Sequence, residues 1–255
     1  MARIDIDGVN TWTETRGSGE RTIVLLHGGL GNSDDLLDSI GPDLEERFRV
    51  IAFDRRGHGY TADTDEPFHY DDMATHAIAV LERLGAASAI HLVGWSDGGI
   101  VAMLVALRRP DLVDRLVLIG VNFHFDGIHE LGPGDGDMPS PLLEGYAKRS
   151  PDGADHFPVV AEKFMAMATT EPTLTTEDVA ALRHPTLVLA GDDDLVRLDH
   201  TVALYEALPA GRLCVLPGAS HLVVIEHPRL VAGIIADFLQ GPEAPETVLP
   251  IRRAR

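Results

Sequence analysis

The sequence contains one cysteine, Cys214, in 255 residues. No internal disulfide can form, which fits a reducing, cytoplasmic compartment. Cys214 lies in the apolar run Leu213 to Leu216 and is expected as a small buried residue rather than a reactive thiol. Basic residues are also scarce: 21 Lys and Arg stand against 40 Asp and Glu, a formal charge of −19. That balance argues against nucleic acid and against an anionic membrane surface as partners. No apolar run is long enough to span a bilayer. Asp5 interrupts the N-terminus too early for a signal peptide. There is no internal repeat and no low-complexity tract. No H-E-x-x-H motif and no close histidine pair on an expected helix points to a metal, so neither metal nor cofactor is expected.

What is present suits a soluble globular chain with a sizeable core: 45% of the residues are hydrophobic and the mean hydropathy is near zero. Arg3 to Val9 and Asn10 to Arg16 alternate around Asp7-Gly8, the pattern of an edge hairpin. Arg21 to Leu26, Arg49 to Phe53, Ala89 to Val93, Arg115 to Ile119, Thr186 to Ala190 and Arg212 to Leu216 read as strands, mostly buried on both faces. Helical patterns fall between them: a loose one over Asp34 to Phe48 broken at Gly41-Pro42, then Tyr70 to Leu84 stopped by Gly85, and Ile100 to Leu107. Later come Asp199 to Leu208 and Pro228 to Leu239.

Between Asn122 and His184 the strand–helix rhythm lapses. Helical patterns over Pro141 to Ser150, His156 to Ala168 and Thr176 to Arg183 take its place, the last with a cap at Thr175 or Thr176. The expectation is an α/β core over 1–121 and 185–240, a helical insert over 122–184 and a loose Pro-rich tail over 241–255.

Gly94-Trp95-Ser96-Asp97-Gly98 reads G-x-S-x-G between an expected strand and an expected helix. A serine on that turn stands above the sheet, and bulk two residues before or after it would crowd the backbone. The helix that follows aims its positive end at the site. A serine hydroxyl needs a base, and the base needs an orienting carboxylate. Gly191-Asp192-Asp193-Asp194 and Pro217-Gly218-Ala219-Ser220-His221 follow later strands, so an aspartate and His221 fall in the required order after Ser96. His27-Gly28-Gly29-Leu30 follows the first buried strand and leaves backbone N–H groups free to face a ligand. His27 is expected in its own loop, His58 in a turn network and His184 at the periphery.

Together these stretches resemble the α/β-hydrolase family over nearly the whole chain. His27-Gly28-Gly29 resembles the family's oxyanion loop and Asp54-Arg55-Arg56-Gly57-His58-Gly59 its D-x-R-G-x-G turn. Gly191 to Asp194 resembles its G-x-x-D, which selects Asp194 as the acid, and Ser220-His221 its histidine loop. The resemblance implies an α/β-hydrolase fold, a mostly parallel doubly wound sheet with a helical cap insert. It implies a Ser96–His221–Asp194 triad, with backbone N–H groups of Gly29 and Asp97 as the oxyanion hole and Leu30 as fallback for Gly29. Two positions depart from the pattern. Leu195 stands where the family usually has proline. Gly29 stands where larger residues are common, which implies a wider pocket.

The elbow is closest to the valacyclovir hydrolase and biphenyl-hydrolase-like branch, in which an aspartate after the serine favours an α-amino group on the ester. Asp97 holds that position; a hydrogen bond within the elbow is the alternative. Trp95, Phe123 and Phe125 are expected against substrate or in the core. Met138, Phe157, Phe164, Met165 and Met167 are expected in the insert, lining the pocket or packing on the sheet.

The expected activity is hydrolysis of small carboxylic esters, with amino-acid esters among them. Other readings are a lactonase, a C–C bond hydrolase, a cofactor-free perhydrolase, or a receptor that binds and turns over slowly. Haloalkane dehalogenase and epoxide hydrolase chemistry need a carboxylate where Ser96 stands.

Overall fold

Asp7 and Gly8 take positive φ angles of 51° and 86°, the geometry of a two-residue hairpin turn. They join β1 (Ala2–Ile6) to β2 (Val9–Arg16), with Ile6 opposite Val9. This hairpin is one edge of the sheet in the computed structural model, which describes residues 1–85, 89–129, 140–242 and 247–249.

The chain continues through β3 (Thr22–Leu26), α1 (Asp34–Leu37), α2 (Gly41–Glu45), β4 (Arg49–Phe53), α3 (Tyr70–Arg83), β5 (Ile90–Trp95), α4 (Asp97–Arg108) and β6 (Val113–Ile119). Then come α5 (Ser140–Arg149), α6 (Phe157–Ala168), α7 (Thr176–Ala180), β7 (Thr186–Asp193), α8 (Leu198–Ala207), β8 (Gly211–Ser220), α9 (Val223–Glu226) and α10 (Pro228–Gln240).

Among the described residues one sheet of eight strands forms, in the order β1-β2-β4-β3-β5-β6-β7-β8. The pairs β1/β2 and β2/β4 are antiparallel and the rest are parallel. This is the α/β-hydrolase fold class expected from the sequence. The β3–β6 runs are apolar at successive residues because helices cover both faces. Val24, Leu26, Leu92, Leu116 and Leu118 pack toward α3, α4 and α8. Ile23, Leu25, Val93, Val117 and Ile119 pack toward α1, α2, α9 and α10.

Some element boundaries differ from expectation. The expected break in the first helical pattern falls at residues 38–40, between α1 and α2, and Gly41 and Pro42 open α2, since proline without an N–H is tolerated in a first turn. Helix α4 starts at Asp97, three residues before the apolar pattern. Strands β7 and β8 run on past Ala190 and Leu216 around an irregularity. There Asp192 Oδ1 accepts from the N–H groups of Gly218 (2.7 Å) and Ala219 (3.3 Å), and Asp193 pairs with Ser220.

Between β6 and β7 the described elements are helical. Thr175 caps α7 as part of a reciprocal box with Asp178. Charged groups tie this stretch to the core. Arg149 Nε donates to Asp34 Oδ2 (2.7 Å), and Lys163 Nζ to Asp63 Oδ2 (2.7 Å). Glu171 Oε2 accepts from the Tyr70 N–H (3.0 Å). Met138 and most of the tail from residue 243 onward lie outside the described residues.

Candidate active site

Ser96 sits between β5 and α4 with φ 53° and ψ −124°, a conformation costly for a residue with a Cβ. Its flanking glycines make the turn fit. A Cβ on Gly98 would strike the Leu26 carbonyl oxygen, and one on Gly94 the Gly98 carbonyl oxygen. The turn is thus pressed against the end of β3, and α4 begins immediately after it with its first N–H groups free of intrahelical partners.

His221 follows β8. Its Nε2 lies 3.0 Å from Ser96 Oγ, and its Nδ1 lies 2.7 Å from Asp194 Oδ1. A carboxylate can only accept, so Nδ1–H donates to Asp194 and Nε2 is left to accept the Ser96 O–H. The Asp194 side chain is buried, and its Oδ1 also accepts from the Val196 N–H at 3.0 Å. Of the three successive aspartates, Asp192 holds the β7–β8 irregularity and Asp193 is exposed, so Asp194 is the one that meets the imidazole.

Two residues around this trio had no sequence signal. Gly120, with φ 56°, follows β6; a Cβ there would come within 3.0 Å of His221 Nδ1 and 3.2 Å of Asp194 Oδ2. Tyr70, at the start of α3, donates its hydroxyl to Asp97 Oδ1.

Asp97 is buried, and its Oδ2 has no hydrogen-bond partner. Burial pushes its carboxyl above the usual range, against the Arg55 charge and the Tyr70 hydroxyl, which favour the anion. Gly29 lies beside it: a Cβ on Gly29 would collide with the Phe164 ring and come within 2.7 Å of Asp97 Oδ2. The space a larger residue would take is therefore filled by Phe164 of α6, and the wider pocket implied by glycine does not arise there. Leu30 follows with φ 54°, in a turn closed by Gly31 N–H to Gly28 C=O.

The family model described as alpha/beta hydrolase fold matches residues 21–158. The chain belongs to this family. It is 27% identical over 256 residues to a serine hydrolase, BPHL, of Mus musculus, covering 94% of this chain and 86% of that protein. It is 31% identical over 229 residues to a 2-hydroxymuconate semialdehyde hydrolase of Pseudomonas sp. (strain CF600), covering 80% of each. Among solved structures it resembles a meta-cleavage product hydrolase of Pseudomonas fluorescens, with a TM-score of 0.75 at 25% identity and coverage of 94% and 97%.

Other aromatic residues lie as follows. Trp95 is buried, and its Nε1 donates to the His221 carbonyl oxygen at 2.9 Å. Phe123 is buried, its ring stacked at 4.0 Å on His200, and Phe125 stacks on His124 at 4.5 Å. Between β6 and β7, Phe157 and Met167 are buried and Met165 is exposed. His27 and His58 are buried in their loops, while His184 is bonded to the Pro110 carbonyl oxygen. Among the described residues no group of three or more His, Cys, Asp or Glu side chains could hold a metal, and no helix is long and apolar enough to cross a membrane.

Proposed function

We propose that this α/β hydrolase is a serine hydrolase acting on small carboxylic esters through an acyl-enzyme. The observation that carries this reading is the contact of Ser96 Oγ with His221 Nε2 at 3.0 Å, with Asp194 behind the imidazole at 2.7 Å. Ser96 attacks the carbonyl carbon, His221 takes its proton and returns it to the leaving alcohol, and Asp194 steadies the imidazolium. Backbone N–H groups of Gly29 and Asp97 receive the oxyanion, each worth about 3 kcal/mol in the transition state. Water, activated by His221, then releases the acid. Residues 122–184 act as a cap over a core of 1–121 and 185–240, with Phe164 as its roof above Gly29.

Asp97 Oδ2, buried and unpartnered, supports an ammonium subsite for amino-acid esters. Arg55 nearby offsets part of that charge. Asp97→Asn separates the two influences: KM rises more for an aminoacyl ester than for its neutral analogue if the carboxylate holds an ammonium.

The deciding experiment is hydrolysis of p-nitrophenyl acetate together with fluorophosphonate labelling. Ser96→Ala is expected to lower kcat by about 10⁶ and to abolish labelling while the protein stays folded. Turnover retained in Ser96→Ala would reject the mechanism. A wild-type chain that neither turns over esters nor labels would favour a ligand-binding protein. A second reading, C–C bond hydrolysis, draws on the names of two of the relatives; a panel with a vinylogous 1,5-diketone acid beside the esters separates the two.

A further inference from the structure

Arg55, directly after Asp54 at the end of β4, is almost wholly buried. A buried guanidinium is costly unless its hydrogen bonds are used. Here those of the two Nη atoms converge on one short stretch of backbone, while Nε has no hydrogen-bond partner. Nη1 donates to the His27 carbonyl oxygen at 2.6 Å, and Nη2 to the Gly28 carbonyl oxygen at 3.0 Å. The Arg55 backbone N–H donates to His27 Nε2 at 3.2 Å. That contact fixes the tautomer: Nε2 accepts, so Nδ1 carries the proton and donates to the Gly28 carbonyl oxygen at 2.7 Å. The same oxygen closes the turn with the Gly31 N–H at 3.4 Å.

The Gly28 carbonyl is therefore held by three donors. In a planar trans peptide the C=O of one residue and the N–H of the next point in opposite directions. Pinning the Gly28 C=O toward Arg55 pins the Gly29 N–H the other way. Ser96 lies close by, since a Cβ on Gly28 would sit 3.5 Å from Ser96 Cβ. Successive carbonyls along a strand point to opposite sides, yet those of His27 and Gly28 share one planar fork. The guanidinium thus holds the bend by which the chain leaves β3. A lysine, with a single point of charge, cannot match two carbonyls in that way.

We infer that Arg55 is the positioning residue of the oxyanion hole, orienting the Gly29 N–H through the two carbonyls before it. This rests on the ester-hydrolase reading above. Arg55 also lines a cavity of about 220 Å³ with Ile6, Val9, Met73 and His76.

The test compares the full chain with Arg55→Ala and Arg55→Lys. An oxyanion donor acts on the transition state, so Arg55→Ala should lose about 100-fold in kcat on p-nitrophenyl acetate with KM nearly unchanged. Affinity for a phenylboronic acid, which forms a tetrahedral adduct on serine, should fall in step with kcat. Added guanidinium at millimolar concentration should restore part of the rate, and ammonium should not. Hydrogen–deuterium exchange over Leu26 to Gly31 should quicken in the variant while β5 and β6 stay protected.

A folded Arg55→Ala with wild-type kcat, or with a loss in KM alone, overturns the proposal. So does unchanged exchange in that loop. If Arg55→Ala does not fold, Arg55→Lys decides by the same two measurements. If the wild-type chain turns over no ester, the ester reading fails, and the exchange measurement still judges whether Arg55 holds the loop.

Discussion

The Tyr70 hydroxyl donates to Asp97 Oδ1 at 2.8 Å, so the residue after Ser96 is held from α3, outside its own elbow. Removing that donor leaves a buried carboxylate oxygen without a partner. Tyr70→Phe should cost about 1–3 kcal/mol of stability, read as a lower urea midpoint with an unchanged slope. A midpoint equal to wild type would mean that another group takes over.

Gly29 and Phe164 form a second pair whose fit can be measured. Gly29→Ala drives a methyl group into the Phe164 ring and crowds Asp97. Its kcat and its thermal midpoint should both fall. Phe164→Ala should relieve part of the loss, with a coupling of about 0.5–3 kcal/mol in a double-mutant cycle. Strict additivity would show that the clash is taken up elsewhere.

Two glycine-to-alanine changes should act in opposite directions. At Gly98 the new Cβ meets the Leu26 backbone, which cannot step aside, and Gly98→Ala should destabilise by about 3 kcal/mol or more. Gly233 lies exposed within α10 with nothing within 4 Å of an added Cβ. Gly233→Ala should stabilise by about 1 kcal/mol, seen as a raised melting temperature.

Stability should fall with acid from about pH 6.5 downward. Burial lowers the pKa of His58 to about 3 and those of His91 and His200 to about 4, and holds His27 well below its ordinary value. The unfolded chain therefore takes up protons first, and stability present above about pH 6.5 is lost as pH falls toward these values. Each such group contributes a slope of roughly 1.4 kcal/mol per pH unit within its window. Asp54, pushed up to about 6 by burial, acts in the opposite sense, as do Asp35 and Asp97, whose carboxyls burial also raises, while His76, lowered by burial, adds to the histidines. His91 is neutral near pH 7, so its approach to Asp114 is no ion pair there. Urea midpoints taken across the window should show the slope, and His91→Leu should flatten it by about one proton.

The sheet was legible because its buried strands are unbroken apolar runs, and the elbow because its glycines are demanded by close contacts, Gly98 with the end of β3 and Gly94 with Gly98. His221 and an aspartate among Asp192, Asp193 and Asp194 could be placed from chain order after strands, and the family resemblance selected Asp194 of the three. The ends of β7 and β8 were not legible: Asp192 carries the pairing past a point where the apolar pattern has already stopped. Tyr70 looked like the first apolar residue of a helix, and nothing local marks its hydroxyl as the partner of Asp97. Gly29 suggested empty space because the side chain that fills it comes from α6, more than a hundred residues later. Arg55 stood in a recognisable turn, but which carbonyls it reaches depends on how β3 and β4 pair.

The indole of Trp95 is bonded to the main chain of His221, one residue away from the alcohol that the imidazole meets. Elbow and histidine loop are thereby fastened to each other as well as to the sheet. That bond restrains the spacing between the Ser96 hydroxyl and the His221 imidazole. The contact of Ser96 with His221 is thus part of the fold itself, and in the mechanism proposed above an arriving ligand has no need to create it.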